Sequence, residues 1–146
     1  MYVRVLVSTK RLLESAVNAQ VLCADATHKL NWNGFPTILV GTIDKGRHFH
    51  PFGIALSSHE RTEDFSWVFQ ELKKAIELAI DITFEPHILL ADSADAITAA
   101  YENVFGADHY LRINCWAHVK RNVESKVKKL VKNSNNEKPG LRTAHL

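Results

Sequence analysis

The spacing of hydrophobic residues divides this chain into two stretches with different periods. In the first, apolar side chains alternate or run together as they do in strands. Val3, Val5 and Val7 alternate, then Leu12, Leu13 and Val17 fall at helical spacing, so residues 1–18 read as an N-terminal edge segment. A strong strand is predicted from Ala19 to Ala24, where the apolar run ends abruptly at Asp25. Asn31-Trp32-Asn33-Gly34 has the composition of a turn. A second strand is predicted over Phe35–Ile43, followed by the hairpin signal Asp44-Lys45-Gly46 and a third strand over His48–Ser57. Pro51 and Gly53 interrupt that third strand and predict a bulge or an edge position.

The period then changes. Thr62 can cap a helix whose first turn carries Glu63 and Asp64, where the dipole favours acids. Phe65, Val68, Phe69, Leu72, Ile76 and Ala79 follow at three- and four-residue spacing, and the helix must end before Pro86. His87–Ala91 is apolar on both faces, the mark of an interior strand. A helix from Ser93 turns Ala96, Ile97, Ala100 and Val104 inward and stops at Gly106. His109–Ile113 alternates as a fifth strand, and a helix from Cys115 carries the stripe Trp116, Val119, Val123, Val127, Leu130. The polar run from Asn133 to Gly140 predicts a flexible tail over residues 133–146.

The predicted order β-β-β-α-β-α-β-α describes an α/β domain: an antiparallel meander, then crossover units, in one mixed sheet with flanking helices over residues 19–132. This order resembles the ribonuclease H-like arrangement, in which the first strand is central and the fourth pairs beside it. Asp25 and Asp92 would then end neighbouring strands. Fold order alone assigns no function.

Composition changes the picture only locally. A chain of 146 residues with 46% hydrophobic and 23% charged residues is an ordinary single globular domain. No apolar run approaches the roughly 20 residues of a membrane span. The opening residues are too short and too interrupted a run for a signal peptide. Cys23 and Cys115 lie far apart in sequence and read as free thiols in a reducing compartment. The net charge of +2 is unremarkable, but Lys120, Arg121, Lys126, Lys128, Lys129 and Lys132 follow one another with Glu124 as the only acid before Glu137. That asymmetry suits a polyanion, with nucleic acid the leading partner; a solvated helix face is the bland reading.

Two carboxylates held close together repel unless a cation lies between them. Mg²⁺ or Mn²⁺ suits such a pair, being bound by one or two carboxylates together with phosphate oxygens. Asp25 and Asp92 are the candidates; the plain alternative is that strand-end aspartates cap turns, and Asp92 precedes Ser93 at an ordinary N-cap position. Asp95 lies a turn into the helix, pointing away from the sheet rim, while Asp44 and Asp108 read as structural. Cys115 and His118 form a C-x-x-H pair whose i,i+3 spacing can present thiolate and imidazole to Zn²⁺. A structural zinc site needs four ligands, however, and Cys23 and His109 are poor partners, so helix-start packing competes. His48 and His50 share one sheet face, where a metal pair competes with satisfied or solvent-facing imidazoles. No serine elbow, glycine-rich phosphate loop or C-x-x-C pair is present.

The run Asp25-Ala26-Thr27-His28-Lys29-Leu30-Asn31, followed by Gly34-Phe35-Pro36, resembles the first catalytic segment of the Mutator-like (MULE) transposase family, with its D-x-T-x-K context. His48-Phe49-His50-Pro51, the helix opening Thr62-Glu63-Asp64, the stretch Asp92-Ser93-Ala94-Asp95-Ala96-Ile97 with Val104-Phe105-Gly106, and Cys115-Trp116-Ala117-His118-Val119-Lys120-Arg121-Asn122 are similar to the family's later motifs, in the same order. The resemblance covers residues 20–132. It implies a DDE-type DNA transposase core acting in the nucleus, as part of an oligomer, on transposon ends and target DNA. It further implies that Asp25 and Asp92 are the first two of three acids that hold a pair of Mg²⁺ or Mn²⁺ ions. The family's third acid, a Glu on a helix well beyond the C-x-x-H motif, has no counterpart here, since Glu124 and Glu137 come too early. The resemblance therefore implies a C-terminally truncated core. Two other readings follow: a transposase-derived domain that binds DNA or protein without catalysis, and a small zinc-binding adaptor.

Overall fold

The structure, a computed structural model, describes residues 2–136. Among them the element order is β1 (Arg4–Val7), α1 (Lys10–Leu13), a 3-10 turn (Glu14–Ala16), β2 (Val21–Thr27), β3 (Thr37–Ile43), β4 (Phe49–Ser57), α2 (Thr62–Ile80), β5 (Ile88–Ala91), α3 (Asp95–Phe105), β6 (Leu111–Asn114) and α4 (Trp116–Asn136). The strands form one mixed sheet in the order β1-β4-β3-β2-β5-β6. β2, β3 and β4 make the antiparallel meander; β5 pairs parallel to β2, and β6 parallel to β5. This is the ribonuclease H-like order, with β2 central, and β1 adds an antiparallel strand beside β4. Residues up to Cys115 form one compact unit, and α4 belongs to a second.

Strand periodicity decides which side chains reach the core. Leu22 and Ala24 of β2, Ile38 and Val40 of β3, and Leu89 and Ala91 of β5 point to one face. There they pack under Phe65, Phe69, Leu72 and Ile76 of α2 and Ile97, Ala100 and Tyr101 of α3, all buried. The apolar stripe of α2 is thus the one its sequence spacing predicts. On the opposite face Val5, Val7, Ile54 and Ile113 are exposed.

β4 decides between the two expectations for it. It lies between β1 and β3, so Pro51 and Gly53 do not mark an edge. They mark the bulge instead: Val40 pairs with Gly53 but Gly41 pairs with Pro51, leaving Phe52 as the extra residue. The bulge turns Phe52 into the core, fully buried, with its ring 5.6 Å edge-on from that of Phe84. Gly41 is required opposite it, because a Cβ there would stand 2.4 Å from the His50 carbonyl oxygen.

Helix ends differ from expectation by a residue or two. Arg61, not Thr62, is the N-cap of α2, and its N–H donates to Asp64 Oδ2 (3.0 Å). Asp81 closes α2 with a left-handed backbone. Ala94, not Asp92 or Ser93, is the N-cap of α3, and Gly106 ends it at a φ of 94°. α4 runs to Asn136, into the segment expected to be tail; residues 137–146 of that segment lie outside the described residues.

Candidate metal and nucleic-acid site

The β2–β5 pairing locates the two aspartates. These parallel strands match Val21 with Ile88, Leu22 with Leu89, Cys23 with Leu90 and Ala24 with Ala91. Asp25 and Asp92 each follow the last matched pair. Neighbouring strands lie about 4.8 Å apart, so the register sets the two residues side by side. Alternation puts them on the face opposite α2 and α3, above Cys23 and Leu90. They lie at the carboxyl ends of the parallel pair β2 and β5, where the strand order runs out in opposite directions, the kind of switch point at which open α/β sheets bind ligands. β2 does not stop at Asp25: it stays paired with β3 as far as Thr27 opposite Thr37.

The backbone beneath Asp92 is held by a residue that no sequence motif marks. Arg112 of β6 donates from Nη1 to the carbonyls of Ala91 (3.3 Å) and Ile113 (2.5 Å), from Nη2 to the carbonyl of Asp92, and from Nε to Thr98 Oγ1 of α3 (3.0 Å). One planar guanidinium thereby joins the ends of β5, β6 and α3. Partial burial lowers its pKa while Tyr110 and Asp92 pull it back up, and a guanidinium stays charged throughout. The available signal was a lone cation on the inward phase of an alternating strand, Leu111-Arg112-Ile113. The Asp92 carboxylate turns back on its own loop, Oδ1 accepting from the Ala94 N–H (2.9 Å). It supports the approach to α3 as an Asx turn, not as the helix cap.

Around these acids the rim is polar. His28 Nε2 lies 3.1 Å from Glu60 Oε1. The loop between β2 and β3 is closed by Asn31, whose Oδ1 accepts from the Phe35 N–H (3.0 Å) and whose Nδ2 donates to the Phe35 carbonyl (2.7 Å). Below Asp25, burial pushes the Cys23 thiol up to about 11, with Cys115 adding to the shift, so Cys23 is a neutral apolar floor. Both cysteines are free, as the sequence implied.

The other candidates are dispersed. Asp44 forms the β3–β4 turn, with His48 Nδ1 at 3.2 Å and His50 Nε2 at 2.9 Å from its Oδ2, and the His48 N–H donating to Oδ1 (2.9 Å). The His50 contact and that N–H hold its carboxyl well below the usual range. His48 and His50 are thus satisfied by a carboxylate. Asp95 opens α3 and Asp108 is exposed. Cys115 follows β6, its N–H donating to the Ala91 carbonyl (2.7 Å), while His118 belongs to α4. Lys120, Arg121, Lys126, Lys128 and Lys129 are exposed along α4, with Lys120 Nζ 4.0 Å from Glu124 Oε1. Among the described residues no group of three or more His, Cys, Asp and Glu side chains is arranged to hold a metal ion. The zinc reading therefore finds no third ligand there. The aspartate pair still fits Mg²⁺ or Mn²⁺ chemically: it offers hard oxygen donors, and Mg²⁺ normally keeps several waters beside one or two carboxylates.

Comparison with known proteins gives a family and a distant solved structure. The chain matches the family described as MULE transposase domain over residues 21–122. Curated proteins give no match. Among solved structures, the HTLV-2 integrase catalytic core domain in complex with magnesium (trimeric form) is similar at 16% identity and a TM-score of 0.38, over 84% of this chain and 76% of that one. The fold assignment rests on the strand order above. Among the described residues no helix is long and apolar enough to cross a membrane.

Proposed function

The chain belongs to the MULE transposase domain family, and from that premise we propose that it cleaves and joins DNA strands in the nucleus with Asp25 and Asp92 as metal-holding acids. The observation that carries this reading is the β2–β5 register, whose last matched pair, Ala24 and Ala91, is followed in each strand by an aspartate. A bound pair of Mg²⁺ or Mn²⁺ ions would supply an activated water or 3′-hydroxyl and charge for the leaving oxygen of a phosphodiester. The chain's own part is positional. Asp25 is carried by a central strand paired on both sides as far as Ala24, and Asp92 by a backbone that Arg112 clamps. Such fixed placement of reacting groups is worth several orders of magnitude in rate. Lys120, Arg121, Lys126, Lys128 and Lys129 would hold phosphates along α4, giving affinity without sequence preference.

The test is a nicking and strand-transfer assay with Mg²⁺ or Mn²⁺, alongside calorimetric Mn²⁺ titration. Asp25→Asn and Asp92→Asn should each abolish turnover and weaken Mn²⁺ binding; variants that keep both would remove the assignment. DNA affinity should fall with salt at a slope of about −0.9 per phosphate contacted, and a flat salt response would return α4 to a solvated helix. A second reading, a domain that binds DNA or protein without catalysis, is favoured by the absence of a three-ligand cluster among the described residues. It predicts salt-dependent DNA binding with no metal-dependent cleavage.

A further inference from the structure

We propose that Trp32 is a stacking platform for an unpaired base of the DNA handled at the Asp25–Asp92 rim. The inference rests on the DNA reading above and adds to it a specific contact and a preferred substrate structure.

Trp32 has a relative exposure of 105%, as open as a side chain can be. Single exposed apolar residues are common on protein surfaces. Trp32 differs from that background in three respects. Its loop is locked: the Asn31 side chain bonds Phe35 through both its oxygen and its nitrogen and reaches Thr37 Oγ1 (3.3 Å), while the Gly34 N–H donates to the Asn31 carbonyl (3.3 Å). The indole is therefore displayed by a built turn and is not buried in it. The loop also springs from the strand that bears Asp25. Trp32 is five residues past Thr27, so its Cα lies within roughly 18 Å of the strand end. Finally, its sequence neighbours are open: Lys29 is exposed and cationic, and exposed Leu30 adds apolar surface.

An indole face stacks on any base, so the contact needs no sequence code. Bases inside a duplex already stack on each other. Only an unpaired base, at a gap, flap or strand end, can offer a free face. A platform on the loop that continues the Asp25 strand would thus favour DNA that is open where strands are cut or joined.

The experiment compares wild-type protein, Trp32→Ala and Trp32→Phe on an intact duplex and on the same duplex with a short gap carrying 2-aminopurine. Wild type should bind the gapped DNA more tightly and quench the 2-aminopurine. Trp32→Ala should lose about tenfold in gapped affinity, with intact-duplex affinity unchanged, and Trp32→Phe should retain most of it. Because Trp32 is fully exposed, thermal melting of the three proteins should coincide and excludes misfolding. Unchanged gapped binding by Trp32→Ala overturns the stacking role, as does an equal loss on both DNAs, which would mark a general surface contact. Absence of binding of wild type to either DNA instead overturns the DNA reading, and the platform with it.

Discussion

Asp64 and the Asp25–Asp92 pair are acids of the same unit used in opposite ways. Asp64, in the first turn of α2, is 0% exposed and surrounded by donors. Tyr2 Oη and Arg4 Nε (3.0 Å) donate to its Oδ1, and the Arg61 N–H donates to its Oδ2. Burial alone would raise its pKa, but these hydrogen bonds outweigh it and hold the carboxyl below its ordinary value. It ties β1 to the start of α2. Asp25 and Asp92 lie instead at an open rim, one exposed and the other half-buried. A carboxylate enclosed by protein donors on both oxygens has nothing left for a ligand. One at an open rim can still be reached from solvent, and the difference lies in the surroundings, not in the residue type.

The sharpest way to break this contrast is to neutralise each acid and compare stabilities. Asp64→Asn should cost about 3 kcal/mol in urea unfolding, since the fully buried carboxylate is replaced by a neutral amide that leaves the part-buried Arg4 guanidinium without its counter-charge. Arg112→Met should come next, near ~2 kcal/mol, because the carbonyls of Ala91 and Asp92 lose a charged donor. If the clamp serves Asp92, Mn²⁺ affinity should fall in the same variant, with Arg112→Lys recovering part of it. Asp92→Asn should change stability by no more than about 0.5 kcal/mol, since the amide oxygen it introduces can still accept from the Ala94 N–H. A large loss there would place Asp92 in the structural class with Asp64.

The contrast also has a sign in pH. The depressed pKa of Asp64 contributes stability that is fully present above the unfolded value, near ~4, and is lost as pH falls through the lower folded value. Wild type should therefore lose stability more steeply than Asp64→Asn in acid, and superimposable pH profiles would show that Asp64 contributes nothing by ionisation.

Most of the architecture was legible because its elements are either strictly alternating or strictly helical. The α2 stripe, the doubly apolar β5 and the chemistry of the Asp44 turn all declare themselves locally. Asp25 and Asp92 were found because each ends an apolar run, a signal carried by the strand and not by the acid. Asp64 and Arg112 were missed for the converse reason. Their partners lie about sixty and twenty residues away in sequence, and nothing local distinguishes a wired carboxylate or guanidinium from a solvated one. The bulge was legible at Pro51 and Gly53, but not its consequence, because only pairing on both sides of β4 shows that Phe52 is the residue pushed inward.

The unequal lengths of pairing along β2 have a dynamic consequence. Beyond Ala24 the strand loses β5 on one side but keeps β3 on the other as far as Thr27. The sheet forks there, and the prong beyond the fork is a two-stranded ribbon ending in the Trp32 loop. In native-state hydrogen exchange the amides of Leu22 to Ala24 should report global opening, while those past Asp25 should exchange through cheaper, local openings of the ribbon. Asp25 would then stand one residue past the rigid slab, at the root of an arm whose internally tied loop moves as one piece, and could follow whatever the arm is holding.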